Sequence, residues 1–281
     1  MIDRKSEIRR LLRLSPEEVI AAAGDRLVVC ETVSDLHKSF AEYVADEIRS
    51  RNADGEPTRL ILPVGPAGQY PILAEILNRE ALSLADCWFF FMDEYCDESG
   101  KAVSPEHPLS LRGKAQEVFL DDLNDSLGLQ EARVVFPDEK NIDNLAATIG
   151  EAGGIDTCYG GIGIHGHIAF NEPEPGVRDL GPRCVKLNDF TVTINAVRDG
   201  VGGNLECFPR EGFTIGMREV LGARRLRLFC RNGCEFDWAN TVLRLALFGN
   251  PADDYPVTWI RGLDYVITTD RETLESPRNL I

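Results

Sequence analysis

Residues 60–79 read LILPVGPAGQYPILAEILNR, an apolar run, then a Gly-Pro-Ala-Gly turn, then apolar residues at helical spacing. The run is apolar at almost every position, the pattern of a strand covered on both faces, and the segment from about Gln69 to Arg79 has the period of a helix. The same unit recurs on either side. RLVVCE (26–31) precedes a helical stretch from Ser34 to about Ser50, where Leu36, Phe40, Val44 and Ile48 fall on one face. CWFFFM (87–92) precedes a helix opening near His107, and VVF (134–136), IDTCYG (155–160), LRLFC (226–230) and YVIT (265–268) read as further buried strands. Continuous apolar strands alternating with helices predict an α/β fold: a Rossmann-like, doubly wound, mostly parallel sheet with helices on both faces. Residues 26–281 form one such domain on this reading. Residues 1–25, with helical-period Ile8, Leu11, Leu12, Val19 and Ile20, form an N-terminal helical extension.

Composition narrows the function classes. The 281 residues carry 46 acidic against 30 basic side chains, a net charge of −16, and no basic block interleaved with aromatics, so nucleic acid is not an expected partner. No apolar run approaches the ~20 residues that span a bilayer, and the N-terminus has no secretory h-region. The expected location is the cytoplasm, with no membrane partner. The 8 Cys are scattered without a CxxC pair and read as reduced thiols.

In doubly wound sheets ligands bind beyond the carboxyl ends of the strands. Three strand ends here carry polar chemistry. Gly65-Pro66-Ala67-Gly68 precedes a helix, where main-chain N–H groups and the helix dipole suit an anion; the alternative is a tight turn that needs glycine. Asp93-Glu94 ends the most apolar strand. A carboxylate beside low-dielectric material has its charged form disfavoured, which raises its pKa toward use as a general base, and the alternative is a solvated strand end or a helix cap. The densest segment is GGIGIHGHIAFNEPEPG (160–176), where glycines let the main chain approach a ligand beside His165, His167 and Glu172. A His with a carboxylate five positions on can be held in one tautomer and used as a base. The HxH…E spacing of these residues also resembles a metal set, but its setting between strand and helix differs from the all-β barrels that use that pattern.

Taken together, LPVGPAG (62–68), MDEY (92–95), EHPLS (106–110) and GHIAFNEP (166–173) resemble the glucosamine-6-phosphate deaminases (isomerases) over roughly residues 26–270. The related 6-phosphogluconolactonases share the glycine-rich GH element without the FNEP continuation. The resemblance implies that Asp93 shuttles a proton between C2 and C1 of an open-chain sugar. It also implies that His167, oriented by Glu172, opens the ring, with Glu94 and His165 as further catalytic or substrate-contacting candidates. Gly65, Pro66, Ala67, Gly68, Gly161, Gly163 and Asn171 would contact the substrate. No metal and no organic cofactor is implied, the partner is a small sugar or sugar phosphate, and a homo-oligomer is possible by analogy.

The chain departs from that family at informative places. Gly163-Ile164-His165-Gly166-His167 stands where the family reads G-N-D-G-H, an imidazole for a carboxylate, so the resemblance does not carry release of ammonia with it. Val64-Gly65-Pro66-Ala67 replaces a T-G-G-T turn and loses both hydroxyls and one N–H. The region corresponding to the family's phosphate-binding Lys, Arg231-Asn232-Gly233-Cys234-Glu235, places an acid about where that Lys stands, and the stretch nearest its Arg segment, Thr191–Asn195, has no Arg; Arg198, Arg210 and Arg231 are the candidates to compensate. The expectation is an aldose–ketose isomerase or deaminase-like enzyme of carbohydrate metabolism with an altered substrate. Its rivals are a sugar-binding regulatory protein that has lost the chemistry and an HxH metal-dependent enzyme.

Overall fold

The computed structural model describes residues 2–232 and 238–281. Seven strands form one parallel sheet: β1 (Leu27–Cys30), β2 (Thr58–Leu62), β3 (Cys87–Phe91), β5 (Val134–Val135), β6 (Thr157–Gly161), β9 (Arg225–Phe229) and β10 (Tyr265–Asp270). Their spatial order is β1-β10-β9-β6-β2-β3-β5, with every pairing parallel. The α/β architecture is the one the apolar runs predict. After β2 the chain builds outward through β3 and β5, then returns to the other side of β2 with β6, β9 and β10. Strand order therefore reverses between β2 and β6, and the crevice beyond their carboxyl ends is the expected ligand position.

Alternation along each strand explains why the runs have no polar face. Leu60, Leu62, Phe89, Phe91 and Tyr159 point into a core with the helices Val33–Asp54 and Tyr70–Glu80. Their neighbours Ile61, Phe90, Cys158, Leu226 and Leu228 point to the opposite core with Leu145–Glu151, Met217–Leu221 and Ala239–Phe248. The long helix starts at a capping box between Thr32 and Asp35 and stops at Gly55, whose φ of 69° only glycine adopts without cost.

A second, three-stranded antiparallel sheet, which the apolar runs do not predict, adjoins the first. It contains β4 (Asp93–Tyr95), β7 (Arg183–Lys186) and β8 (Glu211–Thr214) in the order β4-β8-β7. It continues from β3 through Met92, whose N–H bonds Leu62 O at 3.0 Å while its carbonyl accepts from Ile215 N at 2.8 Å. Tyr95, Phe170, Val185, Leu187, Val192 and Phe208 form a small third core beneath it. The helix expected near His107 begins instead at Leu111, because Ser110 caps Gly113 N and residues 104–110 are spent in turns.

Residues 2–25 contain two short helices, Arg4–Leu11 and Pro16–Ala23, that fold back on the same chain. Val19 and Ala23 join a sheet-face core, and Arg4 bonds Asp254. No helix among the described residues is long and apolar enough to cross a membrane.

Candidate active site

Asp93 stands at the joint between the two sheets, and strand alternation decides which way each residue of DEY faces. Asp93 and Tyr95 line a cleft at the carboxyl ends of β2, β3 and β6, of which about 150 Å³ admits water. Glu94 faces the other way. Both its oxygens are taken up by Ser110 Oγ (2.9 Å), Leu111 N (3.0 Å), Arg112 N (2.8 Å) and Tyr95 N (2.8 Å), so it anchors the start of the 111–115 helix. The half-buried Asp93 carboxyl is pushed up to about 8, first by desolvation and then by the charge of Glu94.

The glycine-rich segment after β6 folds over the same cleft. Gly161, Gly163 and His167 line it. A Cβ at Gly163 would overlap the His167 ring, and Gly166, at φ 72°, lies against Val257, so these two glycines let the segment double back. Burial pulls His167 down to about 3, helped by His165 and Arg198, so its imidazole is neutral at ordinary pH. Its Nδ1 lies 3.9 Å from Glu172 Oε2, and His165 Nδ1 lies 3.7 Å from the same oxygen. Burial pushes Glu172 up to about 7, against hydrogen bonds from the Thr191 side chain and from the main chain and amide of Asn188.

Among the residues singled out by sequence, the structure brings Asp93, His167, Gly65, Pro66, Gly161 and Gly163 to one cleft, with Glu172 and His165 directly behind His167. Ala67, Gly68 and Asn171 are not among its lining residues. Asn171 is fully buried. It donates to Ile168 O and Ile215 O and accepts from Arg183 Nη1, thereby tying the glycine-rich segment to the second sheet. Of the three candidate cations, Arg198 and Arg231 line the cleft, whereas Arg210 bonds Asp189 and Leu205 O. Of the stretch 231–235 expected to correspond to the family's phosphate-binding Lys, residues 233–235 lie outside the described residues.

The cleft also contains residues that sequence reading did not select: His37, Gln69, Asn195, Asp199, Asn232 and Trp238. His37 sits in the first turns of the 33–54 helix, on whose face only the apolar Leu36 and Phe40 signalled structure. Asn195 and Asp199 come from the end of the 189–198 helix, and Asn195 Nδ2 donates to Tyr95 Oη at 3.1 Å. No local motif marks any of them.

No family model matches the chain. Among curated proteins it is 29% identical to a glucosamine-6-phosphate deaminase of Caenorhabditis elegans over 205 residues, 72% of this chain and 74% of that protein. It is 27% identical to one from Thermoanaerobacter sp. (strain X514) over 211 residues, 72% of this chain and 77% of that protein. Among solved structures it matches a monomeric glucosamine-6-phosphate deaminase of the NagB superfamily with a TM-score of 0.76 at 24% identity, covering 88% of this chain and 98% of that one. It also matches the 6-phosphogluconolactonase from Trypanosoma cruzi with a TM-score of 0.65 at 16% identity, covering 90% and 97%. The chain is thus a distant relative of the glucosamine-6-phosphate deaminases, on a fold that also serves 6-phosphogluconolactonases.

Proposed function

We propose that this chain is an aldose–ketose isomerase or deaminase-like enzyme that moves a proton between C2 and C1 of a sugar or amino sugar, with a substrate altered from that of its relatives. The observation that carries the reading is the convergence of Asp93 and His167 on one cleft, with Glu172 behind the imidazole. A carboxyl group pushed up to about 8 by burial is a much stronger base than an exposed Asp, and it is matched to abstracting a carbon-bound proton near neutral pH. His167, neutral and facing the cleft, has the protonation state required to accept the anomeric hydroxyl proton and return it to the ring oxygen.

The far side of the cleft supports an altered substrate. The turn at Val64–Ala67 offers no hydroxyl, and Pro66 offers no N–H while its carbonyl accepts from Gln69 Nε2. Arg198 and Arg231 supply the positive charge, and Asp199 beside Arg198 adds an anion at the same wall. Glucosamine 6-phosphate is therefore expected to be a poor substrate, since each charge-assisted contact that a phosphate loses costs ~1.5–3 kcal/mol. The test is solvent deuterium incorporation at C2 across a panel of free and phosphorylated aldoses and amino sugars. Exchange should fall by ~10²–10⁴ in Asp93→Asn; undiminished exchange in that variant removes Asp93 from the mechanism. Tight sugar binding with no exchange for any member of the panel would favour a protein that binds without catalysis.

A further inference from the structure

We infer that His165, His167 and Glu172 form a binding site for one divalent transition-metal ion. One donor atom from each of the three residues lies within 4.8 Å of the other two. Both imidazole Nδ1 atoms face Glu172 Oε2, at 3.7 and 3.9 Å. Four-coordinate zinc, with bonds of ~2.0–2.1 Å, holds its ligand atoms about 3.3 Å apart, so small side-chain rotations close the set. The backbone is already committed, because the 163–167 segment doubles back on Gly163 and Gly166 and brings both imidazoles to one side.

Hydrogen-bond accounting points the same way. His167 Nδ1 is buried with no hydrogen-bond partner, although buried polar atoms are nearly always satisfied. Asn188 Nδ2 engages Glu172 Oε2, which orients the carboxylate toward the two imidazoles. It also lies 3.4 Å from His165 Nδ1, a contact that ligation would displace. Phe190 covers the outer side edge-on, 5.2 Å from the His165 ring. The neighbouring charges are balanced: Glu174, close to Glu172, is engaged by Arg183, and Arg198 lies on the cleft side of His167.

Two imidazoles and one carboxylate select zinc, cobalt, iron or manganese over calcium or magnesium, which favour oxygen ligands throughout. Three protein ligands leave a coordination position open for water. Ligation at His167 Nδ1 also places the remaining ring proton on Nε2, the nitrogen beside Gly163 in the cleft wall. An occupied site thus fixes a donor at Nε2, a state in which His167 does not serve as the ring-opening base, whereas the metal-free imidazole is able to accept a proton. That consequence for ring opening rests on the isomerase reading above, whereas the binding itself does not.

The test uses the full chain, stripped with a chelator and titrated with Co²⁺ alone, read by its visible ligand-field absorption, with Zn²⁺ as competitor. One equivalent should bind, and affinity should fall at least ~100-fold in both His165→Asn and Glu172→Gln while His107→Asn binds as the parent does. If either variant fails to fold, X-ray absorption on the zinc-loaded parent decides the matter: two imidazoles and an oxygen shell support the site, and any other first shell overturns it. No saturable binding, or binding that survives both substitutions, overturns it as well. Asp93→Asn separates the two proposals, because it should abolish C2 exchange and leave the cobalt spectrum unchanged.

Discussion

Asp93 has two opposed requirements, a charge needed for catalysis and a position that disfavours it. In the folded chain it keeps its proton up to about pH 8, whereas in the unfolded chain it loses it near the ordinary aspartate value of ~3.9. Between those values the native state binds more protons than the unfolded state, so this group's contribution to stability falls as pH rises through the window. Asp93→Asn removes that dependence. Its unfolding free energy relative to the parent should be near parity at pH 4 and higher by about 2 kcal/mol at pH 8, after allowance for the partial exposure of the carboxyl. Chemical denaturation at the two pH values checks this, and equal differences at both would show that the carboxyl is not shifted. The same shift sets catalysis: kcat/KM of the parent should rise about tenfold per pH unit below an apparent pKa near 8, the acid limb expected of a base that must be ionised.

At the scale of elements, the 189–198 helix links the second sheet to the site through its N-cap residue. Asn188 caps the helix by accepting from Phe190 N and Thr191 N at 3.0 Å, and with its amide it holds Glu172. Asn188→Ala should cost about 1 kcal/mol for the lost cap. Asn188→Asp keeps the cap but sets a second carboxylate against a buried one. It should therefore lower turnover more than alanine does while melting no lower, and the opposite order would show that Glu172 is not oriented from this helix. This element also marks the boundary of what sequence discloses. The parallel strands were legible because burial on two faces leaves an uninterrupted apolar run, as in CWFFF. DEY, RCVK and EGFT are three or four residues long and only partly apolar, so the antiparallel sheet carries no comparable signal. Asp93, His167 and Glu172 stand out in the sequence as candidates because titratable groups beside apolar strands and glycines are conspicuous. His37, Asn195 and Asp199 reach the cleft through tertiary folding alone, on segments whose own pattern reports only helix.

At the scale of the whole molecule, the N-terminal helices and the C-terminal segment are fastened to one buried cation. Arg244, in the 239–248 helix, is fully enclosed and donates to the carbonyls of Leu14, Asn240, Leu274 and Glu275, with no carboxylate oxygen among these partners. Burial without a bonded counter-ion pulls its pKa down. The arrangement persists because removing the guanidinium would strand several carbonyls away from water, and each stranded group costs ~1–3 kcal/mol. Arg244→Met fills much of the same space and replaces none of those donors. We expect it to lower stability by about 2–4 kcal/mol and to loosen residues 1–14 first, since Leu14 O loses a donor that holds that segment to the domain. Limited trypsin digestion should then cut at Arg9, Arg10 or Arg13 well before the sheet is attacked, and the denaturation midpoint should fall. Cleavage at the parent's rate together with an unchanged midpoint would show that the N-terminal helices are held without Arg244, by the apolar contacts of Leu11, Leu12 and Val19 and the polar contacts of Arg4 and Glu7.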